Sequence, residues 1–194
     1  MWRTDEGNLM KVFDINEVEN KRVEIDTSHS LFVDELTECY KKHFFFESGK
    51  QILQLALRNK IPLSICVIEI DDFEILNEEH GDIFSAEILK CIADIIRRKC
   101  RKSDLLGRLG VKEFGLLMYN TSAVNAQIFL DLIRKEVEIH GYSFNGERIQ
   151  ETLSMGISLY SPMMDGETLE LMYDRAKTAL SRAKAKGKNC VVTY

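Results

Sequence analysis

Arg101-Lys102-Ser103-Asp104-Leu105-Leu106-Gly107-Arg108-Leu109-Gly110-Val111-Lys112-Glu113-Phe114 is the stretch that decides the fold, because a helix hands over to a hairpin within it. Upstream, between Asp82 and Cys100, Ile88, Leu89, Ile92, Ile95 and Ile96 step as one apolar stripe of a long helix. Arg97, Arg98, Lys99, Arg101 and Lys102 crowd its C-terminal turn, where cations complement the helix dipole. Leu105 to Leu109 and Phe114 to Tyr119 then read as two strands on either side of a short tip.

Working outward, Leu63 to Ile70 is a nearly continuous apolar run, the pattern of a central strand covered on both faces, with Glu69, Asp71 and Asp72 at its C-terminal end. A helix precedes it to about Arg58, with Ile52, Leu55, Ala56 and Leu57 as its apolar face, and Asn59 to Pro62 end it. After the hairpin, Thr121 to His140 reads as a helix with Phe129, Leu132, Ile133 and Val137 inward. Tyr142 to Phe144 and Thr152 to Leu159 read as strands joined through an Asn145-Gly146 turn. A last helix runs from Glu167 to about Lys186, and Cys190 to Thr193 is a final strand. Residues 1–33 lack helical periodicity; Lys11 to Ile15 and Arg22 to Asp26 alternate polar with apolar, which predicts a hairpin extension ahead of a domain spanning 34–194.

The totals limit the function. With 194 residues, 45% of them hydrophobic, the chain suits one globular domain with an appendage. A net charge of −5 argues against a general nucleic-acid surface, so an anionic ligand must be held by local positive groups. No apolar run approaches a membrane span, and the first residues lack a signal peptide's hydrophobic core, so a soluble cytoplasmic protein is expected, with no membrane and no nucleic-acid partner. The 5 cysteines, odd in number and without a C-x-x-C pair, suggest reduced thiols and neither a disulfide framework nor a zinc site.

Several motifs now bear on identity. Arg108-Leu-Gly-Val-Lys-Glu-Phe114 is similar to the Arg-Tyr-Gly-Gly-Asp-Glu-Phe of GGDEF-family diguanylate cyclases. Asp34-Glu-Leu-Thr37 with Phe45 resembles that family's opening Asp-x-Leu-Thr-Gly segment, Leu153-Ser-Met-Gly-Ile157 its Val-Ser-x-Gly-Ile strand, and Arg182-Ala-Lys-Ala-Lys-Gly-Lys-Asn189 its closing Arg-Ala-Lys-x-x-Gly-Arg-Asn. The resemblance covers about Asp34 to Tyr194. It implies an α/β (α+β) fold, a central mostly antiparallel sheet flanked by helices, like the palm of nucleotidyl cyclases.

The same resemblance maps the site residue by residue. Joining two GTP molecules calls for hard carboxylates around a Mg²⁺-type cation. The family's metal positions fall on Glu69, a carboxylate one methylene longer, and on Lys112, whose ammonium would repel a cation; Glu113 is retained beside it. The second glycine of the tip is Val111, and the family's phosphate-binding lysine is Glu74. Of the two residues that read guanine, Asn77 remains and Ala86 replaces an aspartate. Lys184 and Lys188 match basic residues that hold the triphosphate, with a solvated basic helix end as the plainer reading. Glu69, Lys112 and Glu113 are therefore expected to be vestigial, and Lys112 to pair with the Glu69-Asp71-Asp72-Glu74 group.

Arg101-x-x-Asp104, six residues before Gly110, falls where many family members bind cyclic di-GMP for feedback inhibition. An arginine can fork to guanine O6 and N7 or to a phosphate, and an aspartate can accept from guanine N1–H and N2–H. Arg108 and Arg134 are candidate helpers by proximity in the chain. The resulting expectation is a non-enzymatic GGDEF domain, without metal or cofactor, that binds cyclic di-GMP through Arg101 and Asp104 and relays occupancy to an unidentified protein partner, with a homodimer left open. The alternatives are a nucleotide-independent interaction scaffold, a weakly active diguanylate cyclase, and a GTP-sensing domain.

Overall fold

The structure, a computed structural model, describes residues 2–3, 9–12, 31–160 and 166–194. In chain order the elements are β1 (Trp2–Arg3), β2 (Leu9–Val12), β3 (Tyr40–Lys41), α1 (Lys42–Asn59), β4 (Leu63–Ile70), α2 (Phe73–Lys99), β5 (Leu105–Arg108), β6 (Glu113–Tyr119), α3 (Ala123–Ile139), β7 (Gly141–Phe144), β8 (Glu147–Gln150), β9 (Leu153–Tyr160), α4 (Leu169–Ala185) and β10 (Val191–Thr193).

β4 is the axis of the main sheet, whose order is β10-β9-β4-β6-β5-β3. The sheet is antiparallel across its middle and parallel at its two edges. Every residue of β4 is buried, as its continuous apolar run predicts for a strand with neighbours on both sides and helices on both faces. Alternation sorts its side chains. Leu63, Ile65 and Val67 pack with Phe45, Leu53 and Ala56 of α1 and with Met172, Ala176 and Leu180 of α4. Cys66, Ile68 and Ile70 pack with Ile88, Ile92 and Ile96 of α2 and with Ile133 and Val137 of α3. The mostly antiparallel sheet between helix layers is the expected fold.

Several expectations are corrected. Leu55 and Leu132 are exposed, because the buried stripes run Phe45-Gly49-Leu53-Ala56 on α1 and Ala126-Leu130-Ile133-Val137 on α3. Each of the two lies two residues, about 200°, around the helix from a buried leucine. The long helix begins at Phe73, and Asp82 follows a kink at Gly81 (φ 82, ψ 169), a backbone conformation open to glycine. The Asn145-Gly146 turn (φ 50 and 85) joins β7 to β8 instead of to β9. β2 pairs antiparallel with β1 and parallel with β7, while Arg22 to Asp26, the other half of the expected hairpin, lies outside the described residues.

Gly156 on β9 has a packing reason. A Cβ there would sit 2.1 Å from the Ala176 carbonyl oxygen and 2.2 Å from the Leu180 nitrogen, so the glycine lets α4 lie against the sheet. That contact brings the basic end of α4 over the acidic end of β4. Among the described residues, no disulfide joins any of the five cysteines. Among the described residues, no helix is long and apolar enough to cross a membrane.

Candidate functional site

The acidic end of β4 faces the hairpin tip. Glu69 lies directly opposite Glu113 of β6, a juxtaposition of like charges that destabilises a sheet unless it is neutralised. Lysines neutralise both. Lys112 Nζ lies 3.0 Å and Lys184 Nζ 2.5 Å from Glu69 Oε1, and Lys112 also binds Glu74. Glu113 accepts from the Tyr173 hydroxyl at 2.8 Å and pairs with Lys177. Lys188 pairs with Asp72, and Asp71 accepts from Thr152 Oγ1 at 2.7 Å, Ser154 Oγ at 2.6 Å and the Asn189 backbone N–H at 3.1 Å.

The protonation equilibria follow this wiring. Burial pushes the Glu69 carboxyl up, but hydrogen bonds from Lys184 and Lys112 outweigh it and hold the group below its ordinary value. Burial would likewise lower Lys112, yet Glu74 and Glu69 raise it. Among the described residues no cation pairs with Glu151: burial, with Asp72 and Asp71 nearby, pushes it up to about 7.

The predicted pairing of Lys112 with this group is therefore present, and Lys184 and Lys188, although partly exposed, pair with Glu69 and Asp72. Tyr173 and Lys177 were not singled out in the sequence. The available signal was helical spacing, since Tyr173, Lys177 and Lys184 recur at steps of 4 and 7 along one face of α4. A Mg²⁺-type cation does not fit the site as arranged. Ammonium groups occupy Glu69 Oε1, and among the described residues no three His, Cys, Asp or Glu side chains are gathered closely enough to hold an ion.

At the tip, neither Gly110 nor Val111 takes a positive φ. Arg108 closes the turn, donating to the Val111 carbonyl at 3.0 Å and the Gly110 carbonyl at 3.3 Å while pairing with Asp34 at 3.0 Å. Beside it lies a cavity of about 360 Å³ lined by Leu36, Phe73, Asn77, Asp82, Ala86 and Val111, among others.

The second charged turn follows α2. Asp104 Oδ2 accepts from the Arg101 backbone N–H at 2.8 Å, and the Asp104 N–H donates to the Arg101 carbonyl at 3.0 Å. Asp104 Oδ1 is shut off from solvent, and among the described residues only the Ser103 side chain is near enough to favour its charged form. Burial raises the Asp104 carboxyl despite opposing contributions from the Arg101 backbone, the Arg101 charge and Ser103. Arg101 is exposed, and among the described residues no carboxylate pairs with its guanidinium. The two helpers proposed from chain proximity are committed elsewhere: Arg108 to the tip and Asp34, Arg134 to Asp131, Glu138 and Asn189.

The family model for the diguanylate cyclase, GGDEF domain, matches residues 31–190. The chain belongs to the GGDEF family. Diguanylate cyclase A of Treponema denticola is 34% identical over 161 residues, which cover 81% of this chain and 43% of that protein, so the chain spans less than half of this relative's length. The GGDEF domain of DgcB from Caulobacter crescentus, solved in complex with c-di-GMP, superposes with a TM-score of 0.81 at 23% identity, over 90% of this chain and 97% of that one, a likeness of fold. Diguanylate cyclase SiaD from Pseudomonas aeruginosa, solved with its activator SiaC, has a TM-score of 0.80 at 25% identity, over 87% of this chain and 64% of that one.

These relatives correct the expectation of a non-enzyme. Proteins named diguanylate cyclases recur among them, so the changes at Lys112, Val111 and Ala86 leave the chain within an enzyme family. The physical reason is that these changes leave the paired strands that frame the site in place. Glu69 and Glu113 still face one another across β4 and β6, and Lys112 sits on a four-carbon stem able to change partners.

Proposed function

We propose that this chain is a GGDEF signalling domain that binds cyclic di-GMP through Arg101 and Asp104 and relays occupancy to a protein partner. The observation that carries the reading is a charged turn in which Asp104, its Oδ2 held by the Arg101 backbone N–H at 2.8 Å, lies three residues from an arginine whose side chain is exposed. The Asp104 carboxylate can accept from guanine N1–H and N2–H. Arg101 supplies the fork for a phosphate or for guanine O6 and N7. The altered cyclase positions at Lys112, Val111 and Ala86 belong to the same reading: they change the GTP side of the domain, while Arg101 and Asp104 keep the types that recognise the dinucleotide.

Calorimetric titration with cyclic di-GMP tests this. Arg101→Ala is expected to weaken binding by roughly 5- to 150-fold, the loss of a charge-assisted fork. Equal isotherms for wild type and variant would remove the reading. Formation of cyclic di-GMP from GTP is measured in the same preparation, since relatives are named for that reaction; product there would place synthesis and recognition on one chain.

A nucleotide-independent scaffold is the second reading. It is favoured by Val124, Ile128 and Leu132, which are 57–67% exposed and spaced four residues apart, forming an apolar stripe on α3. No change on titration with either nucleotide would favour it.

A further inference from the structure

The carboxylates at the end of β4 are held by cations that belong to the chain itself. Four lysines stand against four carboxylates: Lys112 bridges Glu69 and Glu74, Lys184 shares Glu69 with it, Lys177 pairs with Glu113, and Lys188 with Asp72. Asp71 is satisfied by neutral donors, the Thr152 and Ser154 hydroxyls and the Asn189 backbone N–H. Charge is therefore balanced among the ion-paired groups. Lys112 is the most enclosed of the four lysines, its side chain 23% exposed against 38–42% for the others.

The backbone places Lys112 there. Its carbonyl accepts from the Ile70 N–H at 3.2 Å, which carries the pairing of β4 with β6 one residue past Glu69 and Glu113. Position 112 is thus fixed beside the strand end, and a lysine at it delivers an ammonium group to Glu69 of β4 and Glu74 of α2. Drawing together carboxylates from separate elements, which otherwise repel one another, is the work of a bound cation. The family resemblance puts a metal ligand at the same position. Here that position supplies the positive charge instead, and a divalent ion would have to displace ammonium groups from Glu69 Oε1 and then stand beside them.

We infer that the Lys112 ammonium is a built-in counter-cation that joins β4 to α2 in place of a divalent ion, and that charge reversal at this one position turns the strand end into a divalent-cation site. Lys112→Asp changes the local charge from +1 to −1, a difference equal to the charge of one Mg²⁺ or Mn²⁺. It also adds a third carboxylate beside Glu69 and Glu74, the hard oxygen ligands such ions prefer. The inference does not rest on Arg101, Asp104 or the cyclic di-GMP reading, so either can fail without the other.

The test is calorimetric titration of the full chain with MnCl₂ and MgCl₂ at constant ionic strength, with thermal melts in each salt and in chelator. The proteins are wild type, Glu69→Gln, Lys112→Met, Lys112→Asp, and Lys112→Asp combined with Glu69→Gln. Wild type is expected to take up neither cation at the end of β4, and its melting temperature should not move with Mn²⁺. Lys112→Met keeps the length of the side chain and removes its charge; it should melt below wild type and not recover in Mn²⁺. Lys112→Asp should melt lower still in chelator, rise with Mn²⁺, and bind Mn²⁺ at least about 10-fold more tightly than wild type, as a charge change of two at contact distance requires. Adding Glu69→Gln should remove that gain, which places the ion at the strand end. The inference is overturned if wild type binds Mn²⁺ and Glu69→Gln abolishes the binding, if Lys112→Met melts with wild type, or if folded Lys112→Asp gains no affinity. Should Lys112→Asp not fold, the first two outcomes still decide.

Discussion

The acidic end of β4 and the turn after α2 treat buried carboxylates in opposite ways. Glu69 is 6% exposed and receives two ammonium groups; Asp104 is partly buried and keeps one oxygen without a partner. The first arrangement is closed within the chain and contributes to its stability. The second withholds a favourable interaction from the folded state, and a ligand reaches that oxygen only if the turn opens. A domain can thus stabilise itself with one set of carboxylates and recognise a partner molecule with another, and substitutions at the two places should separate stability from binding.

The largest stability effect is expected at the closed end. Glu69→Ala leaves Lys112 and Lys184 facing one another without their shared acceptor and should cost about 1–3 kcal/mol in denaturant melts at pH 7, discounted for the partial exposure of both lysines. The sign with pH is fixed by the lowered carboxyl of Glu69. Its contribution is full above the ordinary carboxylate range and is lost as the pH falls through its folded value, so the gap between wild type and variant should shrink in acid.

A second substitution sharpens the contrast within the closed end itself. Glu151 lies beside Asp71 and Asp72 and is pushed up to about 7 by burial and by those two charges. Because the folded state holds its proton more tightly than the unfolded chain does, stability should fall as pH rises from about the ordinary glutamate value to about 7 and level off beyond it. Glu151→Gln should abolish that slope and raise stability by about 1–3 kcal/mol at pH 8, read by urea melts across the range. A slope that survives the substitution would assign the titration to another group.

The smallest stability effect is expected at the open turn. Asp104→Ala removes an unpaired oxygen together with one hydrogen bond from the Arg101 backbone, two changes of opposite sign, so its stability should stay within about 1 kcal/mol of wild type. Its cyclic di-GMP affinity should nevertheless fall. A large loss of stability there, or no loss of affinity, would break the distinction between the two regions.

Much of this was legible along the chain. The unbroken apolar run Leu63 to Ile70 determines a central strand, and the isoleucine stripe from Ile88 to Ile96 determines the buried face of a long helix, because strand and helix periods are local properties. Opposite charges at Lys112 and Glu69 predicted their pairing, and Arg101-x-x-Asp104 could be located by its distance from the tip. Other features depended on contacts the sequence does not order. Leu55 and Leu132 looked inward until the packing of α1 and α3 fixed which side faced the sheet. β8 was hidden because its four residues gain strand character only by pairing with β7.

The sequence by itself determined the family, the alternation of strands and helices, and which residue types were available to each site. Tertiary structure alone decided their employment. The close approach of α4 at Gly156 brings Lys177, Lys184 and Lys188 to carboxylates 64 to 116 residues away in the chain. The partial burial of Asp104 leaves its Oδ1 without a donor, and the turn after Gly81 sets Asp82 against Asn77. The physical reason is range: backbone preference and periodicity act over a few residues, whereas desolvation and ion pairing depend on which distant groups packing brings within about 4 Å.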